Sequence, residues 1–272
     1  MEFYWILLLA LSSAFAYPTR GDLSELQPFI VGGEPAEEGQ FPFQVGVQTH
    51  RLTEDGREYT AWCGGCLISD QAVLTAAHCV VGGISTEIFL GASHLSTGKP
   101  TIINVGKEGL ISHENYKNFN NDIALVILPS KITFTDKIQP VNLPRRSQQG
   151  MSFERTVGWI SGWGKMGDEK GSTEQLQWTR RWILPHEYCK YHFPGTFRPE
   201  TQVCVDGSHK ISACRGDSGG PLTIVEEDET RTLVGVTSYG KFTCEQHFPA
   251  IYARVSPHLD WIHEKTGIPI RE

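Results

Sequence analysis

A histidine, an aspartate and a serine stand far apart in this chain, each in a setting that could serve chemistry. His78 lies in Thr75-Ala76-Ala77-His78-Cys79, and Asp122 opens the apolar run of Asn121-Asp122-Ile123-Ala124-Leu125. Ser218 sits in the glycine-rich stretch Gly216-Asp217-Ser218-Gly219-Gly220-Pro221. A serine hydroxyl is a poor nucleophile until an adjacent base takes its proton, and an imidazole oriented by a carboxylate is such a base. Taken singly, each residue has an ordinary explanation: a packed histidine, an aspartate ending a turn, a serine in a structural hairpin. Together they are the parts of an activated nucleophile. A fourth stretch, Ile30-Val31-Gly32-Gly33, follows Pro28-Phe29 and suits neither a helix nor a strand interior, because of its two glycines.

The elements that must position these residues are strands. Short apolar runs recur between turn signals, at 41–47, 66–69, 72–78, 88–93, 123–128, 156–164, 222–225 and 232–240. Many are rich in Val, Ile and Thr and are bounded by Gly, Pro or Asn. The 28 glycines and scattered prolines leave little helical periodicity, so the pattern predicts an all-β fold. The length after residue 30 suits two small barrels in one chain. A proline-broken polar connector falls near 129–152. One helix is predicted at the C-terminus, with Ser256 as N-cap, Pro257 in the first turn, Leu259 and Ile262 on one face and Gly267 as the stop.

Residues 1–16 read as a secretory signal: an apolar core ending in Ala14-Phe15-Ala16. It is too short for a membrane span, which needs about 20 apolar residues. The expected product is therefore secreted and soluble. Of 24 basic and 31 acidic residues in the whole chain, residues 1–29 hold one and three, which leaves a net charge of −5 after their removal. An acidic chain without a basic cluster is a poor partner for nucleic acid or an anionic membrane. Seven cysteines in a secreted chain imply disulfides and one odd thiol. Cys63 and Cys66 form a C-x-x-C pair, but no second pair exists to complete a zinc site. On a strand the two would face opposite sides, so no metal is expected.

The four stretches, in this order and spacing, resemble the chymotrypsin family of serine proteases over residues 30–268. Gly216-x-Ser218-x-Gly220 also matches the nucleophile elbow of α/β-hydrolases. That fold places its aspartate and histidine after the serine, whereas here both precede it. The resemblance implies two six-stranded antiparallel β-barrels packed together with a C-terminal α-helix. It implies a serine endopeptidase in which Ser218 attacks, His78 carries the proton, Asp122 orients the histidine, and the N–H groups of Gly216 and Ser218 form the oxyanion hole. It also implies disulfides Cys63–Cys79, Cys189–Cys204 and Cys214–Cys244, with Cys66 as a buried, inert thiol.

The same resemblance explains the isoleucine stretch. Residues 17–29 become an activation peptide, the protease domain runs over 30–272, and cleavage after Phe29 frees an Ile30 ammonium to pair with Asp217. Ser212 is placed at the base of the specificity pocket, Gly240 and Ala250 on its walls, Ser238 and Tyr239 along the cleft, and Arg215 at its mouth. A neutral base predicts cleavage after Phe, Tyr or Leu. An elastase-like or collagen-cleaving enzyme, or a protease-like binding protein without activity, is the alternative. Arg-Gly-Asp occurs at 20–22 and 215–217 and reads as coincidence. Expected partners are protein or peptide substrates and protein inhibitors of proteases, acting on a monomer that needs no cofactor.

Overall fold

Strands that alternate inward and outward residues, with no helix to cover them, bury their apolar faces by closing on themselves. Both halves of this chain do so. The structure is a computed structural model that describes residues 30–241 and 243–272. The expected signal and activation segments, Phe29 included, lie outside these residues. After the short β1 (Glu34–Pro35), the first half contributes β2 (Gln44–Leu52), β3 (Glu58–Leu67), β4 (Ala72–Thr75), β5 (Gly83–Leu90), β6 (Thr101–Gly106), β7 (Leu110–Ser112) and β8 (Ala124–Ile127). The one-turn helix α1 (Ala77–Val80) follows β4.

All pairings in this sheet are antiparallel, in the order β6-β5-β2-β3-β4-β8-β7. The terminal strands β6 and β7 are consecutive in the chain, separated only by a 3₁₀ turn at Lys107–Gly109. They are two parts of one interrupted strand, and their continuity closes a six-stranded barrel.

The second half contributes β9 (Val157–Gly162), β10 (Gln177–Trp182), β11 (Gln202–Val205), β12 (Pro221–Val225), β13 (Arg231–Tyr239) and β14 (Ala250–Arg254). Their order is β10-β9-β12-β13-β14-β11, with β1 added outside β10. A bridge from Ile183, just past β10, to Val205 of β11 closes this barrel too. The second sheet is likewise antiparallel throughout. The segment 129–152 runs between β8 and β9 without a strand and carries a single 3₁₀ turn at Arg146–Gln148.

Inward residues fill each barrel. Val45, Val47, Leu67, Leu74, Ile88 and Leu125 are buried in the first, and Ile160, Val203, Leu222, Val234 and Tyr252 in the second. Helix α2 (His186–His192) precedes β11, and α3 (Leu259–Thr266) ends the fold with Leu259 and Ile262 buried on one face. Gly267 stops α3 at φ 73°, but Ser256 does not cap it. Ser256 starts a 3₁₀ turn and its hydroxyl donates to the Gln149 carbonyl, 3.2 Å away, so it ties the helix to the connector. Among the described residues no helix is long and apolar enough to cross a membrane.

Three disulfides join elements rather than neighbours in sequence: Cys63–Cys79 links β3 to α1, Cys189–Cys204 links α2 to β11, and Cys214–Cys244 links two loops. Cys66 is a free thiol buried in the first core, and burial pushes its pKa well up. The barrels meet at bare backbone. A Cβ on Gly64 of β3 would lie 3.0 Å from the Cα of Gly220.

Candidate active site

The histidine is fixed by its backbone before its ring is considered. His78 follows the buried Ala76 and Ala77 in α1, and its neighbour Cys79 is bonded to β3. The Arg51 guanidinium reaches from β2 and donates to the carbonyls of His78, at 2.7 Å, and Cys79, at 2.9 Å. Asp122 enters from the loop before β8. There Asn118, Phe119 and Asn121 hold φ of 49°, 59° and 49°, a left-handed conformation that asparagine tolerates and phenylalanine does not favour. Asn121 is held in turn by its Nδ2 donating to the Asn115 carbonyl and by contact of its Oδ1 with His258 Nε2 at 3.2 Å.

The Asp122 carboxylate is fully buried and accepts three hydrogen bonds. Oδ1 takes the His78 backbone N–H at 2.9 Å; Oδ2 takes the His78 Nδ1–H at 2.8 Å and the Ser238 hydroxyl. A carboxylate only accepts, so Nδ1 carries the imidazole proton and Nε2 presents its lone pair. The ring is partly open, at 24% exposure against 0% for Asp122, and among the described contacts its Nε2 meets Cys79 Sγ, at 3.7 Å, and makes no hydrogen bond to Ser218.

Ser218 lies on a tight turn between Cys214 and Pro221. The turn closes through Asp217 N–H to the Cys214 carbonyl, at 3.0 Å, and Gly220 N–H to the Asp217 carbonyl, at 2.9 Å. Gly216 sits at φ 99°, which an L side chain rarely adopts. The Ser218 carbonyl accepts Gly64 N–H from β3 at 2.7 Å, and the Thr75 hydroxyl donates to the Gly64 carbonyl at 2.8 Å. The serine turn of the second barrel is thereby tied to the strand that leads into His78 in the first. Among the described residues, the Gly216 and Ser218 N–H groups find no acceptor, so two donors beside the serine remain free for an oxyanion.

Asp217 points the other way. Its carboxyl is 1% exposed and accepts N–H bonds from Gly164, at 2.8 Å, and Cys214, at 2.9 Å. Burial raises its pKa to about 6 against the pull of those two bonds, and among the described residues no cation pairs with it. Room for it exists because residues 162 and 164 are both glycine: a Cβ on either would collide with the carboxylate, the one at 164 lying 2.6 Å from it. Ile30 and Val31 are buried, Ile30 among the second-barrel core residues. The Val31 carbonyl accepts the Ser212 N–H at 3.2 Å.

A cavity of about 250 Å³ opens beside Ser218. Ser212, Arg215, Ser238, Tyr239, Gly240 and Ala250 all line it. The Ser212 hydroxyl, nearly buried, donates to the Ala213 carbonyl at 3.0 Å. None of the described lining residues carries a carboxylate, and a Cβ on Gly240 would meet nothing within 4 Å, so the mouth is open. The Cys214–Cys244 disulfide forms part of the wall. Donor atoms of Cys63, His78 and Cys79 cluster closely, but the two sulfurs are bonded to each other and leave no metal-ligating set.

Four contributions escape a reading of the sequence. Arg51 holds the histidine backbone, Ser238 donates to Asp122 as well as lining the cavity, Gly164 makes space for Asp217, and the Phe119 ring stands edge-on to His78 at 5.8 Å. The asparagine-rich run around Phe119 was a usable signal of left-handed backbone. The other three depend on contacts between distant residues and leave no local mark.

Comparison with known proteins agrees with this geometry. A family model described as Trypsin matches residues 30–262. A protein named collagenase from Hypoderma lineatum is 34% identical over 272 residues, covering 98% of this chain and 99% of that protein. Chymotrypsin-C of Bos taurus is 32% identical over 243 residues, covering 87% and 88%. A solved HL collagenase structure superposes with a TM-score of 0.77 at 34% identity, over 88% of this chain and 100% of that one.

Proposed function

The chain belongs to the trypsin family and is a serine endopeptidase, and from that premise we propose that it cleaves peptide bonds after large apolar residues through an acyl-enzyme on Ser218. Ser218 Oγ attacks the scissile carbonyl carbon while its proton passes to His78 Nε2. The carbonyl oxygen becomes an oxyanion, held by the N–H groups of Gly216 and Ser218. The imidazolium that forms is stabilised by Asp122, whose Oδ2 already holds Nδ1–H. His78 gives the proton to the leaving amine, the C–N bond breaks, and an ester to Ser218 remains. Water, deprotonated by the same Nε2, attacks the ester and restores the hydroxyl.

The observation that carries the specificity is a cavity beside Ser218 with no carboxylate among its described lining residues, Arg215 and Lys241 being its charged members. An aspartate at its base would pair with Arg or Lys side chains. Ser212 there carries no charge to pair with a cation, and its hydroxyl proton is satisfied by the Ala213 carbonyl, so the site suits an apolar ring or chain. The enzyme is secreted and made as a zymogen over residues 17–272. Removal of residues 17–29 by a cut after Phe29 delivers the Ile30 ammonium to Asp217. The burial of Ile30 and Val31 and the buried Asp217 carboxyl, which has no cation among the described residues, support this placement.

The test is to profile the cut enzyme on peptides that differ only in Phe, Leu, Ala or Arg before the scissile bond, with labelling by an organophosphonate. Phe and Leu should lead, and the label should sit on Ser218. A preference for Arg, or an unlabelled and inactive protein, would overturn the reading. Similarity to a named collagenase along 98% of the chain favours a second reading, in which collagen is among the substrates. Incubation with native collagen beside the peptides decides between them.

A further inference from the structure

A line of rings, bridged at one gap by the Lys241 ammonium, leads from the catalytic centre to the outer surface of α2. Phe119, edge-on to His78, lies 5.2 Å from Tyr239, and Tyr239 lies 5.7 Å from Phe193. The Lys241 ammonium spans the next gap, 5.9 Å over Phe193 and 3.9 Å over Phe248 at the cavity wall. Phe248 then meets His192 at 5.8 Å, and His192 meets Tyr188 at 4.5 Å and Tyr191 at 5.1 Å. The inner part of this line belongs to the cleft. Its outer end does not: Tyr191 is 80% exposed and Tyr188 45% exposed.

That end is built as a platform. Tyr188, Tyr191 and His192 stand at i, i+3 and i+4, which places them on one face of α2. Cys189, on another face, is buried and bonded to Cys204 of β11, so the short helix is clamped to the second barrel. Exposed aromatic rings on a clamped element bind with little loss of freedom, because the platform is ordered beforehand. Their chemistry selects for flat, apolar groups on an extended chain. Aromatic-lined surfaces take polyproline II segments, whose rings are rigid and whose backbone is already extended.

We propose that the α2 face formed by Tyr188, Tyr191 and His192 is an exosite for a proline-rich, extended stretch of substrate lying upstream of the scissile bond, continuous with the cleft through Phe248. The inference rests on the endopeptidase reading above and names the kind of polypeptide it serves. Neighbouring rings along the line are about two polyproline II residues apart, at about 3.1 Å per residue, so the exosite meets residues several places before the cut.

The experiment compares two substrates that share their four residues before the cut, ending in Phe. One is that short peptide; the other carries a net-neutral, proline-rich N-terminal extension of about eight residues. A glycine-serine extension of equal length is the control. In the wild-type enzyme the proline-rich extension should raise kcat/KM about tenfold, mainly through KM, and the glycine-serine one should not. The double variant Tyr188→Ala, Tyr191→Ala should lose that gain and keep its rate on the short peptide; both side chains are exposed, so thermal melting should be unchanged. Equal gains from the two extensions, or a gain that survives in the double variant, would overturn the exosite alone. A short peptide left uncut by the wild type would overturn the endopeptidase reading beneath it.

Discussion

Removing the peptide bond between Phe29 and Ile30 should change how stability depends on pH, and by an amount set by one carboxyl. In the whole chain Asp217 is buried without a described cation, and its pKa stands at about 6 against an ordinary 3.8. Its raised value means that the folded state holds this proton more tightly than the unfolded state does. Stability from Asp217 is therefore complete below about pH 4 and is lost as pH rises through 6. At about 1.4 kcal/mol per pKa unit, the loss is about 3 kcal/mol. An Ile30 ammonium beside the carboxylate removes the cause, because the charge is then paired. His258 runs the opposite way, with burial pushing it down to about 4, but it is common to both forms and cancels in their difference. The assay is urea unfolding of the Ser218→Ala protein, uncut and cut, from pH 4 to 7. The cut form should gain on the uncut form by about 3 kcal/mol across that range, and Asp217→Asn should abolish the divergence. Parallel curves would refute the pairing.

The remaining expectations concern single contacts. Gly164→Ala puts a Cβ 2.6 Å from the Asp217 carboxylate, so it should lower stability by about 2 kcal/mol or more and abolish activity, read by melting and peptide hydrolysis. Ser238→Ala removes one of three donors to Asp122 and should lower kcat about tenfold with little change in KM, as measured on a peptide ending in Phe. The Ser218→Ala zymogen, mixed with a trace of active enzyme, should be cut after Phe29; an intact Phe29–Ile30 bond on mass spectrometry would exclude activation by its own kind. Arg215 at the cavity mouth should favour acidic residues just after the cut, and equal rates for Asp and Lys there would remove that preference.

The nucleophile motif and most core strands were legible because their signals are local. Unbroken runs of apolar and small residues in β4, β8 and β13 announce strands buried on both faces. β10, Gln177–Trp182, carries two arginines and ends in a Trp that is 55% exposed, so its pattern does not separate inside from outside. α2 has only Cys189 buried, which hides its helical period, and its place comes from the disulfide to β11. Ser256 has the residue type of a cap, yet its hydroxyl turns to Gln149 because the connector passes within reach. The site divides in the same way. His78, Asp122 and Ser218 stand in distinctive neighbourhoods, whereas the Arg51 contact joins residues 27 places apart and exists only once the first barrel has closed, and the Ser238 contact joins residues 116 places apart and exists only once both barrels have formed.

The Gly64–Gly220 meeting makes turnover a gauge of docking. His78 and Asp122 belong to one half of the molecule and Ser218 to the other, and the link between the halves at this point is main chain against main chain, with no side chain to compress or adjust. A slip of an ångström there would leave each half correctly folded and the pair inert. Loss of hydrolysis should therefore precede loss of β-structure when the molecule is gradually loosened, since alignment fails before either barrel opens.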